Sequence, residues 1–316
     1  MVAFAAALFA GACQGPDSGT ASGGCTATLT AGHGSLDRFV RHLRRGGVGC
    51  LRGNFRTNLT IRRSRFQLTS APGGQASIVG TVYIARTSNR VVLSRLVLRA
   101  SASPSVRING TGITIRRSDI SNDHTGICVS IGGAFERWGI ATGVALVQNR
   151  IHDCGRIPPT NHDHGVYVEG SRNAVIKGNL IYDNADRGVQ LYPNAQGTLV
   201  TRNVIDGNGE GVIFSSEAAG VGYARSYASN DNLVTRNVIS NSAKRHNVES
   251  WWGGPVGTGN VVRDNCIWNG LLGNVDLTGG GFLAVGNVVA EPKFVDRNAK
   301  DFRLQGDSAC AEMGPR

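Results

Sequence analysis

The sequence holds little of the material that long helices and metal centres are built from. Of its 316 residues only 17% are charged and 6% aromatic, while Gly, Asn, Val, Ile, Ser and Thr abound, a composition of strands and turns. Long helices are therefore not expected. No Cys-x-x-Cys spacing occurs among the 7 cysteines, which argues against a structural zinc site, and no acidic run has the spacing of a calcium loop. The apolar run Val2 to Ala12 is too short to cross a bilayer.

That run instead suits the apolar core of a signal peptide, although no positive residue precedes it. Small residues end it, and Cys13 and the polar run Gln14 to Gly24 follow. Ala10-Gly11-Ala12-Cys13 resembles a bacterial lipoprotein cleavage box, with Ala10 where that box has Leu or another aliphatic residue. The resemblance implies export and a lipid on Cys13 that would attach the chain to a membrane. Residues 1–24 are thus expected to be an export segment and linker, and residues 25–316 a single domain. With Cys13 set aside, an even number of cysteines remains, which suits an oxidising compartment. Proximity in sequence suggests Cys25 with Cys50, Cys128 with Cys154 and Cys266 with Cys310, although six cysteines allow fifteen pairings.

Lysine plus arginine outnumber aspartate plus glutamate, 33 to 22, giving a formal charge of +11. Most of the excess is arginine, read as spread along the chain. Such a field attracts a polyanion, whether nucleic acid, anionic envelope or uronate-rich glycan; the alternative is a surface that is merely basic and soluble. For an exported chain nucleic acid is the least expected of these partners.

Self-similarity decides the architecture. Five segments align: Thr125-Gly-Ile-Cys-Val-Ser130, His164-Gly-Val-Tyr-Val-Glu169, Arg187-Gly-Val-Gln-Leu-Tyr192, Glu210-Gly-Val-Ile-Phe-Ser215 and His246-Asn-Val-Glu-Ser-Trp251. His164 to Arg187 and Arg187 to Glu210 are both separated by 23 residues, a period of stacked coils. A second motif trails the first: Asn149-Arg-Ile151, Asn179-Leu-Ile181, Asn203-Val-Ile205, Asn237-Val-Ile239 and Asn265-Cys-Ile267, with weaker copies at Ser64-Arg-Phe66, Leu96-Val-Leu98, Ser118-Asp-Ile120 and Asn287-Val-Val289. About nine coils are expected, each burying its Val and Ile only by stacking on the next at about 4.8 Å. The repeated Asn sits at a bend, where it hydrogen-bonds backbone or the Asn of the next coil; its role is structural. Ser35 to Arg45 is expected to be a capping helix, with Ser35 as N-cap, Leu36, Phe39, Val40 and Leu43 on one face and Gly46-Gly47 as the stop. Residues 290–316 lose the repeat and read as a closing segment.

The Asn-x-Ile ladder, the Gly-Val-x-Val strands, the helix followed by Gly49-Cys50-Leu51-Arg52-Gly53, and the tail from Glu291-Pro-Lys-Phe to Leu304 resemble bacterial right-handed parallel β-helix repeat proteins. The resemblance covers about residues 25 to 316 and implies an all-β, right-handed parallel β-helix solenoid with a short N-terminal capping helix. Relatives of that fold include pectate and alginate lyases, mannuronan C5-epimerases, polygalacturonase-type hydrolases, phage tailspikes and surface proteins, so the fold by itself selects no activity.

Chemistry is expected where the strands turn side chains outward. Alternation puts Val166, Val168, Val189 and Leu191 inside, and Tyr167, Glu169, Gln190, Tyr192, Ile213, Ser215, Glu249 and Trp251 outside, with Cys128 and Ser130 one coil earlier. Just before these strands lie Asn161-His162-Asp163-His164, Asp186-Arg187, Glu210 and Lys244-Arg245-His246, and four of the 7 histidines, His124, His162, His164 and His246, stand beside them. Insertions at 131–145, 156–160 and 218–231, the last with Tyr223, Arg225 and Tyr227, would wall a groove. Trp251, Trp252, Tyr192 and Trp138 suit stacking on sugar faces.

Removing the proton beside a uronate carboxylate demands a counter-charge for that carboxylate, a base within reach and a proton donor. Candidate roles follow: Arg187 as carboxylate clamp, His162 or His164 as base with Asp163 between them, and Tyr167 or Tyr192 as donor. Glu169, Gln190, Glu210, His246, Glu249 and Trp251 would contact the substrate. Asn161-His162-Asp163-His164 resembles the Asp-Pro-His-Asp element of mannuronan C5-epimerases through its His-Asp pair, without the leading Asp and Pro. The expected activity is a lyase or C5-epimerase acting on a uronate-containing polysaccharide; a glycoside hydrolase in the same groove, or a non-catalytic glycan-binding solenoid, are the alternatives. No cofactor follows from these residues with certainty; calcium is the metal that Asp163, Glu169, Asp186 and Glu210 would suit. A monomer is expected. Against all this, the His164, Arg187, Glu210 column reads equally as a salt ladder, Asp163 as a turn residue, and each tyrosine as strand packing.

Overall fold

The computed structural model describes residues 24–133, 139–220 and 222–315; the proposed lipid site Cys13 and the stacking candidate Trp138 lie outside them. The chain winds as a solenoid of three sheets, parallel except for the edge strand Tyr227–Ala228: an eleven-stranded sheet 1 from Ala27–Thr30 to Phe282–Val285, a ten-stranded sheet 2 from Asn54–Phe55 to Val288–Val289, and a ten-stranded sheet 3 that carries His164–Arg172, Arg187–Gln196, Glu210–Glu217 and Val248–Gly253. Each coil adds one strand to each sheet in turn. Alternation drives this: Leu68, Leu93, Ile115, Leu146, Ile176, Val200 and Val234 are fully buried and form one continuous core with the inward residues of the other two sheets.

The column expected from the period is present. His164 pairs with Arg187 and Arg187 with Glu210 in parallel register. The Asn ladder also forms: the backbone N–H of Asn149, Asn179, Asn203 and Asn237 each donates to the side-chain oxygen of the next coil's Asn at 2.8–2.9 Å. Each amide group in turn donates to that oxygen and to a backbone carbonyl. A bend buried beside the core thus leaves no backbone donor orphaned. A further ladder, running through Asn184 and Asn208, does the same at the next corner.

One register differs from expectation. Val129, not Ile127, pairs with Val166, and Ser130 with Tyr167, so the Thr125–Ser130 motif is displaced by two residues. Cys128 therefore does not join the outward column; it is bonded to Cys154. Cys25–Cys50 and Cys266–Cys310 complete the expected disulfides. Beyond Ile131 and Val168 the ladder gains extra residues, Gly132 facing Gly170 and Gly170 facing Asn194, so the strands lengthen from coil to coil by bulging. Only glycine fits at 132: its φ is +69° and a Cβ there would lie 1.6 Å from the Gly170 carbonyl oxygen.

The two ends are finished differently. The helix is Leu36–His42, shorter than the expected 35–45, with Ser35 accepting from the N–H of Arg38 at 3.3 Å; Leu36, Val40 and Leu43 bury against the first coils. At the other end the irregular segment does not close the last coil. It runs back along the outside of sheet 2: Arg297 reaches buried Asp206 at 2.7 Å, Lys300 reaches Asp183 at 2.5 Å, and Phe302 packs on Tyr182. It is a strap, and Leu283, Val285 and Val289 of the last coil stay exposed.

Candidate functional site

Sheet 3 presents an outward column of Thr60, Tyr83, Arg107, Ser130, Tyr167, Gln190, Ile213 and Glu249 on successive coils. Ser130, Gln190, Ile213 and Glu249 are buried although they point away from the core. One of the insertions, 218–231, folds back over this face. It forms a hairpin, pairing Tyr227–Ala228 antiparallel with Ser216 and Glu217.

Under that roof three tyrosines meet. The rings of Tyr167 and Tyr192 stack with centroids 6.1 Å apart, and Tyr223, brought by the hairpin, lies within hydrogen-bonding reach of both. The Tyr192 hydroxyl donates to Glu217 at 2.5 Å. Arg107 donates to Glu169 at 3.2 Å. Burial, then the charge of Glu169, raises Tyr167 well above the usual phenol range. Burial and the bond to Glu217 do the same for Tyr192, while burial and Glu169 push Tyr223 up to about 12. All three hydroxyls are therefore protonated at neutral pH and are weaker acids than a free phenol. Trp251, 54% exposed, stands at the rim; a side chain on Gly253 would touch both its ring and the Glu217 carboxylate.

The polar residues that precede the strands form a separate, internally paired layer. Asp163 accepts from Arg156 at 2.6 Å and from Thr160 at 2.9 Å. Asp186 accepts from the N–H groups of His162 and Asp163 and from Lys244. Arg187, 7% exposed, gives Nε to Glu210 at 2.9 Å and its two terminal nitrogens to the carbonyl and side-chain oxygens of Asn161. It thus has no fork left for a ligand carboxylate, contrary to the clamp expected of it, and it anchors the Asn161 loop instead. Glu210 and Glu249 share Arg245, and Glu249 also takes His246 at 2.8 Å. Burial outweighs Arg187 and raises the Glu210 carboxyl.

His164 links the two layers. Its ring meets Tyr167 edge-on with centroids 5.3 Å apart, it is hydrogen-bonded to Gln190, and burial, reinforced by Arg187, lowers it well below the ordinary imidazole value. It is neutral, and its buried Nδ1 has no hydrogen-bond partner among the described residues. His162 is exposed.

The oxygens on which a calcium ion would depend are committed to these internal pairs. Asp163, Glu169, Asp186 and Glu210 serve Arg156, Arg107, Lys244 and Arg187 respectively. His246, Glu249 and Asp276 bring candidate ligand atoms within 4.8 Å of one another. There too Glu249 is held by Arg245, and Asp276 by Thr278.

Tyr167, Tyr192, His164 and Trp251, expected beside one another from the repeat, lie on one face; Arg107, Glu217 and the position of Tyr223 were not expected there. Glu217 was within reach: it continues the outward alternation Ile213, Ser215. Arg107 sits in a coil whose motif is degenerate, and Tyr223 depends on how the hairpin folds.

A family model described as right handed beta helix region matches residues 80–288. Comparison with curated proteins gives no match. Among solved structures, an alginate lyase from Paenibacillus sp. is similar with a TM-score of 0.49 and 12% identity over 84% of this chain and 100% of that one. The A-module of a mannuronan C-5 epimerase from Azotobacter vinelandii gives 0.43 and 16% over 84% and 88%, and a surface adhesin of Streptococcus pneumoniae 0.49 and 12% over 80% and 84%. These are likenesses of chain course, and no residue role passes from them to this chain.

Proposed function

We propose, for a chain that belongs to the right-handed β-helix family, that the roofed face of sheet 3 is the active site of an exported carbohydrate-active enzyme, a lyase or C5-epimerase acting on a uronate-containing polysaccharide. The observation that carries this reading is the convergence of Tyr167, Tyr192 and Tyr223, all held protonated, with Glu217 bonded to Tyr192 and Trp251 at the rim. A glycan needs an aromatic platform for its sugar faces and polar groups that fix its orientation. Elimination further needs a proton delivered to the leaving oxygen, and epimerisation one delivered to the opposite face of the carbon. Tyr192 is the hydroxyl placed to give that proton in either case, once a leaving oxygen or carbanion draws its hydrogen away from Glu217. His164, uncharged beside Tyr167, is the group suited to take up a proton. Arg107, which is paired with Glu169 and bonded to the Gly132 carbonyl, is the cation of this face and would have to exchange Glu169 for a substrate carboxylate, and Asp163 and Arg187 hold the loop that carries His162. Three disulfides suit the oxidising compartment of an exported chain.

A second reading has its own support. Glu169 and Glu217 are both buried and both act on the tyrosine cluster, and paired carboxyl groups flanking a sugar are what a glycoside hydrolase uses. The test is incubation with alginate, pectate, glucuronan and a glycosaminoglycan. Unsaturated-uronate absorbance is expected for elimination, and deuterium uptake from D2O at C5 for epimerisation. Tyr192→Phe should lower turnover by about 100-fold or more. New reducing ends without that absorbance establish the hydrolase; turnover indifferent to Tyr192→Phe removes the site assignment.

A further inference from the structure

The arginine excess is not spread along the chain. Residues 24–118 contain sixteen arginines and a single acid, Asp37, whereas residues 119–316 contain seventeen basic and twenty acidic residues. The whole positive charge of the protein therefore belongs to its first four coils. Among the described residues, only Arg99, with Asp123, and Arg107, with Glu169, draw an ion pair from these sixteen, and fourteen of the side chains are exposed.

The fold arranges them in two rows. Arg44, Arg45, Arg62, Arg63, Arg65, Arg86 and Arg90 lie at the corner that leads into sheet 1, and Arg52, Arg95, Arg116 and Arg117 at the corner that leaves it. Between the rows, sheet 1 shows Gln67, Thr69, Val92, Ser94 and Thr114 outward, with Gln67 and Thr69 both hydrogen-bonded to Ser94. The result is a neutral polar strip framed by guanidinium groups, with a groove of about 460 Å³ at its entry corner lined by Arg65, Arg86, Thr87, Asn89, Arg90 and Thr111. The backbone itself favours another residue there. Arg65 and Arg90 have φ of 59° and 50°, and the same left-handed corner is taken by Gly112, Gly143, Asn173, Gly197 and Asp231 in later coils. At this entry corner arginine occupies a conformation that disfavours it only in the first coils, whereas at the exit corner Arg202 and Arg236 repeat the left-handed arginines Arg95 and Arg117 in later coils.

We propose that this arginine-framed face of the first coils is a docking surface for a carboxylate-bearing polysaccharide, separate from the tyrosine site on sheet 3. Arginine forks match carboxylates in paired hydrogen bonds, and coil stacking repeats them about every 4.8 Å, a ladder suited to a polymer with one charge per sugar. Other partners fit less well. Among the described residues no large hydrophobic side chain is exposed before Ile140, whereas membrane insertion and protein interfaces draw on apolar anchors and single-stranded nucleic acid on exposed aromatics. The choice of an acidic glycan rests on the proposed function; the location does not.

The test measures binding of alginate, with dextran, duplex DNA and phosphatidylglycerol vesicles as comparisons, in the Tyr192→Phe background so that nothing is consumed. Alginate should bind, weaken steeply as salt rises, and bind at least about tenfold more weakly once Arg62, Arg65, Arg86 and Arg90 are all changed to Gln, with the circular dichroism spectrum unchanged. If that variant fails to fold, Arg65→Lys with Arg90→Lys keeps the charge, loses the fork and should still weaken binding. Undiminished binding by a folded variant, equal binding of dextran, or tighter binding of DNA or vesicles overturns the proposal. Alginate held by the arginine face of a protein with intact Tyr192 that turns over no glycan would defeat the enzymatic reading alone.

Discussion

At the scale of single residues, the site is governed by what burial does to titrating groups. His164 is neutral because burial lowers it well below the ordinary imidazole value, so in the unfolded chain it binds a proton that the folded chain refuses. Its contribution to stability is complete above the unfolded value of about 6.5 and is lost as pH falls from there toward the folded value, at about 1.4 kcal/mol per pH unit. Glu210 works in the opposite sense, because burial raises it and the folded state then binds the extra proton. The difference between the parent and His164→Gln isolates the imidazole: urea unfolding at pH 7 and pH 5 should show a smaller acid-side loss in the variant. Equal losses would mean that His164 is charged in the fold. Arg187 illustrates the same dependence on surroundings. Its fork suggested a ligand clamp, yet Glu210 and Asn161 occupy its nitrogens.

Individual elements owe their position to the Asn ladder at the corner between sheets 1 and 2. Asn203 accepts from the N–H and the side chain of Asn179 and donates to Ile176 and Asn237, all within the buried bend. Asn203→Ala leaves that N–H and a carbonyl buried without partners and should cost about 2–4 kcal/mol in urea unfolding. Asn287 ends the ladder half-buried, where water can replace the lost partners, and Asn287→Ala should cost about 1 kcal/mol or less. Equal costs at both positions would show that the ladder does not work by burial. The bulges in sheet 3 belong to this scale as well. They lengthen the strands at Gly132, Gly170 and Asn194 and so carry Tyr192 to a place where it stacks on Tyr167 and bonds Glu217.

For the whole molecule, the C-terminal strap binds coils that are distant in sequence. Cys310 is tied to Cys266, and Arg297, Lys300 and Phe302 grip Asp206, Asp183 and Tyr182. Because each coil contacts its neighbours directly, the solenoid does not need the strap to wind. Cys266→Ser with Cys310→Ser should therefore expose residues 290–316 to limited proteolysis first, with the sheet signal in circular dichroism kept and stability lowered by about 2–4 kcal/mol. Cleavage that begins within the coils instead would show that the strap holds the solenoid together. Charge is also a property at this scale: a basic first third joined to a nearly balanced remainder separates a surface that attracts polyanions from the tyrosine site.

By itself the sequence determined the coil. In a solenoid the lateral neighbour of a residue lies one period away, so the spacing of His164, Arg187 and Glu210, the recurrence of Asn before an aliphatic residue, and the proximity of paired cysteines already state which groups touch. Tertiary structure decided whatever lies between the repeats. The register of the coil at Thr125–Ser130, the bulge beside Tyr192, the hairpin that delivers Tyr223 and the path of residues 290–315 depend on insertions that no period constrains. Their positions are set by side-chain packing and hydrogen bonds across the folded surface, and those exist only after the coils have stacked.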